Sequence, residues 1–168
     1  MKGFMRIMRS SYKKCMLGSF LIILSDQLTK YIVSGNLSQT SSVTFIPYLF
    51  NFVYVKNTGA AFSILSKKTA FLGVISVLFC LGVLIYWYKR KPSDGLLLTA
   101  LTLLFSGAFG NAIDRIARGY VIDFIEMAFI NFPVINLADI AITSGAVILM
   151  IYLLFFDKEG QKGGKKDN

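Results

Sequence analysis

Four of the nine carboxylates in this 168-residue sequence fall within residues 107–139: Asp114, Asp123, Glu126 and Asp139. Carboxyl groups can act together as general acid and general base when their surroundings push their acidities apart. Asp123 has the local sequence for such work. It lies in YVIDFI, residues 120–125, among apolar residues and with Glu126 as the nearest charge beyond them. Apolar surroundings and a like charge both raise a carboxyl pKa. Asp114 differs, because it shares a helix face with Asn111 and has Arg115 and Arg118 nearby, so it is expected to stay ionised and to organise structure. Asp139 stands just before an apolar run, where an isolated acid is ordinarily a helix cap or a first-turn acid favoured by the helix dipole. The sequence has no histidine. That removes Ser-His and Cys-His nucleophile pairs and most tetrahedral zinc sites. A hydrolase built on this chain must move protons with carboxylates, or with a Ser-Lys pair in which Lys30 serves Ser34, Ser63 or Ser66.

The elements that must position these groups are membrane spans. With 55% hydrophobic and 16% charged residues the chain reads as one integral membrane domain. About 20 apolar residues cross a bilayer, and four runs are long enough, at residues 15–33, 69–88, 95–113 and 140–156. The first carries Asp26, Gln27 and Lys30, polar residues foreign to the apolar stretch of a cleaved signal peptide. Asp26 and Lys30 are spaced i, i+4, as a structural ion pair within a helix would be. Twelve of the eighteen basic residues lie before the first run, between the second and third, and after the fourth. By the positive-inside rule both termini and the short middle loop are cytoplasmic, and the acids of residues 107–139 face outward. The net charge of +9 is therefore a topology signal, and no nucleic-acid partner is implied. Cys15 and Cys80 lie at different depths and suggest no disulfide.

Between the first two runs, residues 43–56 are rich in β-branched and aromatic side chains with strand alternation, interrupted by Pro47. They are expected to form a small sheet on the outer surface. Asn57, Thr58 and Gly59 signal a turn, and Gly59, Ala60 and Ala61 leave a backbone that another chain can approach. Residues 121–130 are expected to form a short interfacial helix, since Val121, Phe124, Ile125, Ala128 and Phe129 fall on one helical stripe. The fold class expected is a mainly α membrane protein of four transmembrane helices, a small extracytoplasmic β-sheet and that interfacial helix.

Five segments carry a resemblance. Asp26-Gln-Leu-Thr-Lys30, Asn57-Thr-Gly-Ala-Ala61, Gly110-Asn-Ala-Ile-Asp-Arg115, Val121-Ile-Asp-Phe124 and Asn136-Leu-Ala-Asp139 resemble, in order and spacing, the motifs of the bacterial lipoprotein signal peptidases, or type II signal peptidases. Phe109 and Ile135 depart from the usual Leu and Phe, both as apolar exchanges. The resemblance implies an aspartic endopeptidase of the bacterial cytoplasmic membrane that cuts prolipoproteins just before a cysteine carrying diacylglyceryl. It implies Asp123 and Asp139 as the catalytic pair. Asn57, Gly59, Ala60, Asn111, Asp114, Arg115, Asn136 and Ala138 fall on positions that shape the site or meet substrate, and Asp26 and Lys30 on the first-span motif. Neither metal nor organic cofactor is required, and the expected partners are lipidated prolipoproteins and membrane lipids, with the enzyme a monomer. A proton-coupled transporter or a non-catalytic lipoprotein-binding scaffold is the alternative reading of acids gathered beside membrane spans.

Overall fold

A computed structural model of the chain describes residues 2–59 and 68–156, with side chains from residue 11 onward. Along the chain run α1 (Lys2–Asn36), β1 (Ser42–Ile46), β2 (Phe50–Asn57), α2 (Thr69–Arg90), α3 (Gly95–Arg118), β3 (Val121–Met127) and α4 (Leu137–Phe155). The four helices are each long and apolar enough to cross a membrane, α1 by its segment Ser11–Asn36. Their burial is uneven. The most apolar 18 residues of α3 are 61% buried, against 17–22% in the other three, so α3 is the central post and the rest turn apolar faces outward, as lipid permits.

Small residues set how closely the post is approached. A side chain at Gly145 on α4 would stand 2.9 Å from the Ala100 carbonyl oxygen and the Leu104 amide nitrogen of α3, and one at Gly107 on α3 would overlap the Ala138 carbonyl oxygen. Backbone-to-backbone packing of this kind holds helices together where lipid tails compete for every apolar surface. α3 starts on an Asp94 cap, whose side chain accepts from the Leu96 and Leu97 amides. It stops at Gly119, which adopts the left-handed φ of 76° that ends helices.

The three strands form one antiparallel sheet in the order β1-β2-β3. Residues 43–56 divide at Pro47 into a hairpin, with Tyr48 at a φ of 65° in the turn. Residues 121–127 are not the interfacial helix expected from their apolar stripe. They are β3, paired to β2 from Asn57↔Val121 to Phe50↔Met127. The reason is tertiary: β2 offers an open edge, and a strand beside it satisfies backbone groups that a surface helix would leave unpaired on β2. Val121, Ile122, Asp123 and Phe124 are all buried, on both faces, so the run lacks the alternation that marks a half-exposed strand. Beyond β3 the chain doubles back, and Ile125 and Ile135 exchange backbone hydrogen bonds of 2.8 and 3.0 Å. That bridge seats Asn136 and the start of α4 beside Asp123. Placing a branched side chain at the α3–α4 contact is expected to be costly: Gly145→Val should destabilise the protein by about 1–3 kcal/mol, read as a lowered thermal midpoint in detergent.

Candidate active site

Where the sheet meets the bundle, α1, α3 and α4 bring their polar residues together. Lys30 is fully buried, and its Nζ lies 2.8 Å from Asp26 Oδ2 and 2.9 Å from Asp114 Oδ2. The third contact is a hydrogen bond of 3.0 Å donated to Asn111 Oδ1. An ammonium has three N–H donors, and each finds an acceptor. Asp26 Oδ1 in turn accepts from the backbone N–H of Ala138 at 3.0 Å, which ties α1 to the first turn of α4. Asp114 is completed by Arg118, an ion pair one helical turn along α3. Two carboxylates and two cations thus neutralise one another within the bundle.

Asp123 and Asp139 sit at the edge of this assembly and are held by amides. Asp123 Oδ1 accepts from Asn136 Nδ2 at 2.6 Å, and its Oδ2 from Asn57 Nδ2 at 2.8 Å. Asn57 is steadied by the turn that follows it, its own Oδ1 accepting from the Gly59 amide at 2.9 Å. Asp139 Oδ1 accepts from Asn111 Nδ2 at 2.8 Å. Because Asn111 Oδ1 is committed to the Lys30 ammonium, the amide can only turn its Nδ2 toward Asp139. Asn136 is the N-cap of α4 in a reciprocal capping box with Asp139, so one asparagine is bonded to both acids. The cap and the functional position of Asp139 are one arrangement.

The Asp123 pKa is pushed up to about 7, first by burial and then by the charge of Asp139, while the Asn57 and Asn136 bonds and the Lys30 charge pull it the other way. The like charge that matters is thus Asp139 and not Glu126, which takes a 2.9 Å hydrogen bond from Asn51 on the neighbouring strand. Both aspartates line a cavity of about 430 Å³, together with Asn57, Asn111 and Arg115 and with an apolar wall that includes Met127, Ile135 and Ile142.

Of the positions singled out in the sequence, Asn57, Gly59, Asn111, Asp114, Arg115, Asn136, Ala138, Asp26 and Lys30 all belong to this one neighbourhood. Ala60 lies outside the described residues, as do Ser63 and Ser66. Three readings change. Asp114 pairs with Lys30 and Arg118, whereas Arg115, next in sequence, turns away and its Nη2 donates to the Gly59 carbonyl oxygen at 3.4 Å. Lys30 spends its three contacts on Asp26, Asp114 and Asn111 and reaches no serine among the described residues, and the Ser34 hydroxyl is turned to the Tyr31 carbonyl oxygen at 3.0 Å. Gln27 joins the same network, its side-chain amide donating to Asp26, to the Gly110 carbonyl and to Asp114, and accepting from Arg118. Its only signal in the sequence was its place beside Asp26 on a polar patch of an apolar helix.

Comparison with known proteins bears on the whole arrangement. A family model described as signal peptidase (SPase) II matches residues 19–155. A lipoprotein signal peptidase of Acinetobacter baylyi is 40% identical over 152 residues, covering 84% of this chain and 82% of that protein. One from Staphylococcus aureus is 35% identical over 150 residues, covering 85% and 92% respectively. A bacterial membrane enzyme whose structure was solved by the in meso method at 2.3 Å resolution superposes with a TM-score of 0.81 at 32% identity, covering 93% of each chain. The chain belongs to the signal peptidase II family of bacterial membrane proteases.

Proposed function

We propose that this protein removes signal peptides from diacylglyceryl-modified prolipoproteins by hydrolysing the bond just before the lipidated cysteine, with Asp123 and Asp139 as its catalytic pair. The observation that carries this reading is that two aspartates, bonded to one asparagine, line the same cavity. Carboxyls so placed resist double ionisation and titrate as a unit. In the working state one is charged and one neutral. The charged carboxylate takes a proton from a water molecule, which attacks the scissile carbonyl carbon. The neutral carboxyl gives its proton to the developing oxyanion or the departing amine, and the pair is restored when the proton taken from water is redistributed. Carboxyls and water suffice for these steps, and no metal or organic cofactor enters.

The remaining residues have assisting roles. Asn57, Asn111 and Asn136 fix the carboxyl orientations. Arg115 lines the cavity with its Nε buried and without a hydrogen-bond partner among the described residues, a donor placed to meet a peptide carbonyl of the substrate, and Gly59 beside it carries no side chain. Asp26, Lys30, Asp114 and Ala138 hold the frame. The apolar wall suits a signal-peptide segment or the lipid on its cysteine. The protein works as a monomer among membrane lipids. Its basic residues favour cytoplasmic termini, which supports a site at the outer face of the cytoplasmic membrane.

Asp123→Asn and Asp139→Asn should each lower turnover of a lipidated preprotein by at least about a hundredfold, with retained folding, as read by mass spectrometry of the product; normal turnover by either would dismiss the pair. Activity should fall as pH rises through about 7, where the Asp123 proton is lost. Stability should follow the same sense. A carboxyl whose folded pKa is raised binds its proton more tightly in the folded state, so the stability it contributes is complete below its unfolded pKa and is lost as pH rises through about 7. Asp123→Asn has no such loss, and at pH 8 its thermal midpoint should equal or exceed that of the unsubstituted protein.

A further inference from the structure

A second cavity, of about 410 Å³, lies at the opposite end of the bundle, between the end of α2, the start of α3 and the last turns of α4. Its walls include Tyr86, Arg90, Ser93, Asp94 and Tyr152, and its floor is Leu97. Leu97 is part of a buried cluster with Val83 and Leu101 against which Trp87 and Tyr152 pack. The loop over the cavity is fixed on both sides. The Lys91 amide donates to the Trp87 carbonyl at 3.1 Å, and the Tyr12 hydroxyl of α1 donates to the Pro92 carbonyl at 3.0 Å. The cavity is therefore preformed.

Its depth relative to a bilayer follows from helix length. The 22 residues of α2 rise about 33 Å at 1.5 Å per residue, close to the thickness of a hydrocarbon core of about 30 Å. Arg90 ends that helix and lies at headgroup level, beside Tyr86, Trp87 and Tyr88, the aromatic types that collect there. Two charges of opposite sign are open in the cavity. Arg90 makes none of the ion pairs or hydrogen bonds found among the described side chains. Asp94 uses one oxygen, Oδ1, to cap α3 through bonds of 2.9 and 3.0 Å, and its Oδ2 accepts from no described residue. The two are not paired with each other. A simple anion would gain Arg90 and be repelled by Asp94. A ligand carrying both signs gains both.

We propose that this cavity binds the zwitterionic headgroup of an aminophospholipid, its phosphate on Arg90 and its primary ammonium on Asp94, with the glycerol end toward the apolar floor at Leu97. The site lies at the other end of the bundle from the aspartates and does not depend on what they cut. Phosphatidylcholine has the same net charge but no N–H to donate to a carboxylate, and phosphatidylglycerol has no cation, so lipid identity reads out the geometry.

The test is native mass spectrometry of the full chain, released from detergent micelles holding equal amounts of phosphatidylethanolamine, phosphatidylglycerol and phosphatidylcholine with the same acyl chains. Phosphatidylethanolamine should be retained about fivefold over the other two, the scale of one interfacial charge. Arg90→Gln should abolish the preference. Asp94→Asn, which keeps a capping oxygen for α3, should shift it to phosphatidylglycerol. O-phosphoethanolamine added to the unsubstituted protein should displace the lipid where inorganic phosphate does not, which keeps the test open should a variant fold poorly. Equal retention of the three lipids, another lipid retained first, or a preference untouched by Arg90→Gln in a folded variant would overturn the proposal.

Discussion

The structure depends on a buried ammonium. Lys30 has no exposed surface and gives its three protons to Asp26, Asp114 and Asn111. Moving an unpaired charge out of water costs several kcal/mol, and removing one partner of a buried pair commonly costs about 3–5 kcal/mol. The arrangement is therefore close to all-or-none, and it joins three helices. Lys30 and Asp26 come from α1, Asp114 and Asn111 from α3, and the Ala138 amide held by Asp26 opens α4. In lipid, where apolar faces have little reason to prefer one another over acyl chains, such a node sets which helices meet and in what register. The close contacts at Gly107 and Gly145 then let α3 and α4 approach along their length.

The same node sorts the acids. Asp26 and Asp114 spend their charge on Lys30 and Arg118. Among the described residues, the side chains of Asp123 and Asp139 accept only from asparagine amides and a backbone N–H. Neutral donors orient a carboxyl without cancelling its charge, and this leaves the proposed pair able to hold a proton between them. Asn111 has a double duty, since its oxygen is claimed by Lys30 and its nitrogen is thereby aimed at Asp139. The ion pair of the first span thus reaches the proposed chemistry through one side chain. It is a positioning effect, expressed as geometry.

Much of this was legible in the sequence, for physical reasons that differ from residue to residue. The four spans follow from length and apolarity alone, and the Asp26–Lys30 pair from helical spacing. The apolar neighbours of Asp123 announced a perturbed carboxyl. What could not be read locally is what other elements supply. Residues 121–127 carry a helical stripe and became a strand because the edge of β2 was waiting. Arg115 and Arg118 look equivalent from Asp114, but one helical turn brings Arg118 back to it while Arg115 points toward Gly59. The remaining partners, Asp114 and Asn111 for Lys30 and the Ala138 amide for Asp26, lie on α3 and α4, more than eighty residues away in sequence, and no local pattern encodes them. Asp139 was readable as a first-turn acid, which it is in the capping box of Asn136, and the match of its segment to the family motif was needed to propose more for it.

In the proposed mechanism Asp123 and Asp139 hold one proton between them, in a cavity framed by the Lys30 node. Infrared spectroscopy of the carboxyl C=O stretch in the reconstituted protein tests it most directly. One protonated carboxyl band is expected below neutral pH that disappears as pH passes about 7, is missing from Asp123→Asn, and moves to lower pH in Asp139→Asn once the neighbouring charge is gone. A band unchanged in both variants, or none at mildly acid pH, would contradict it.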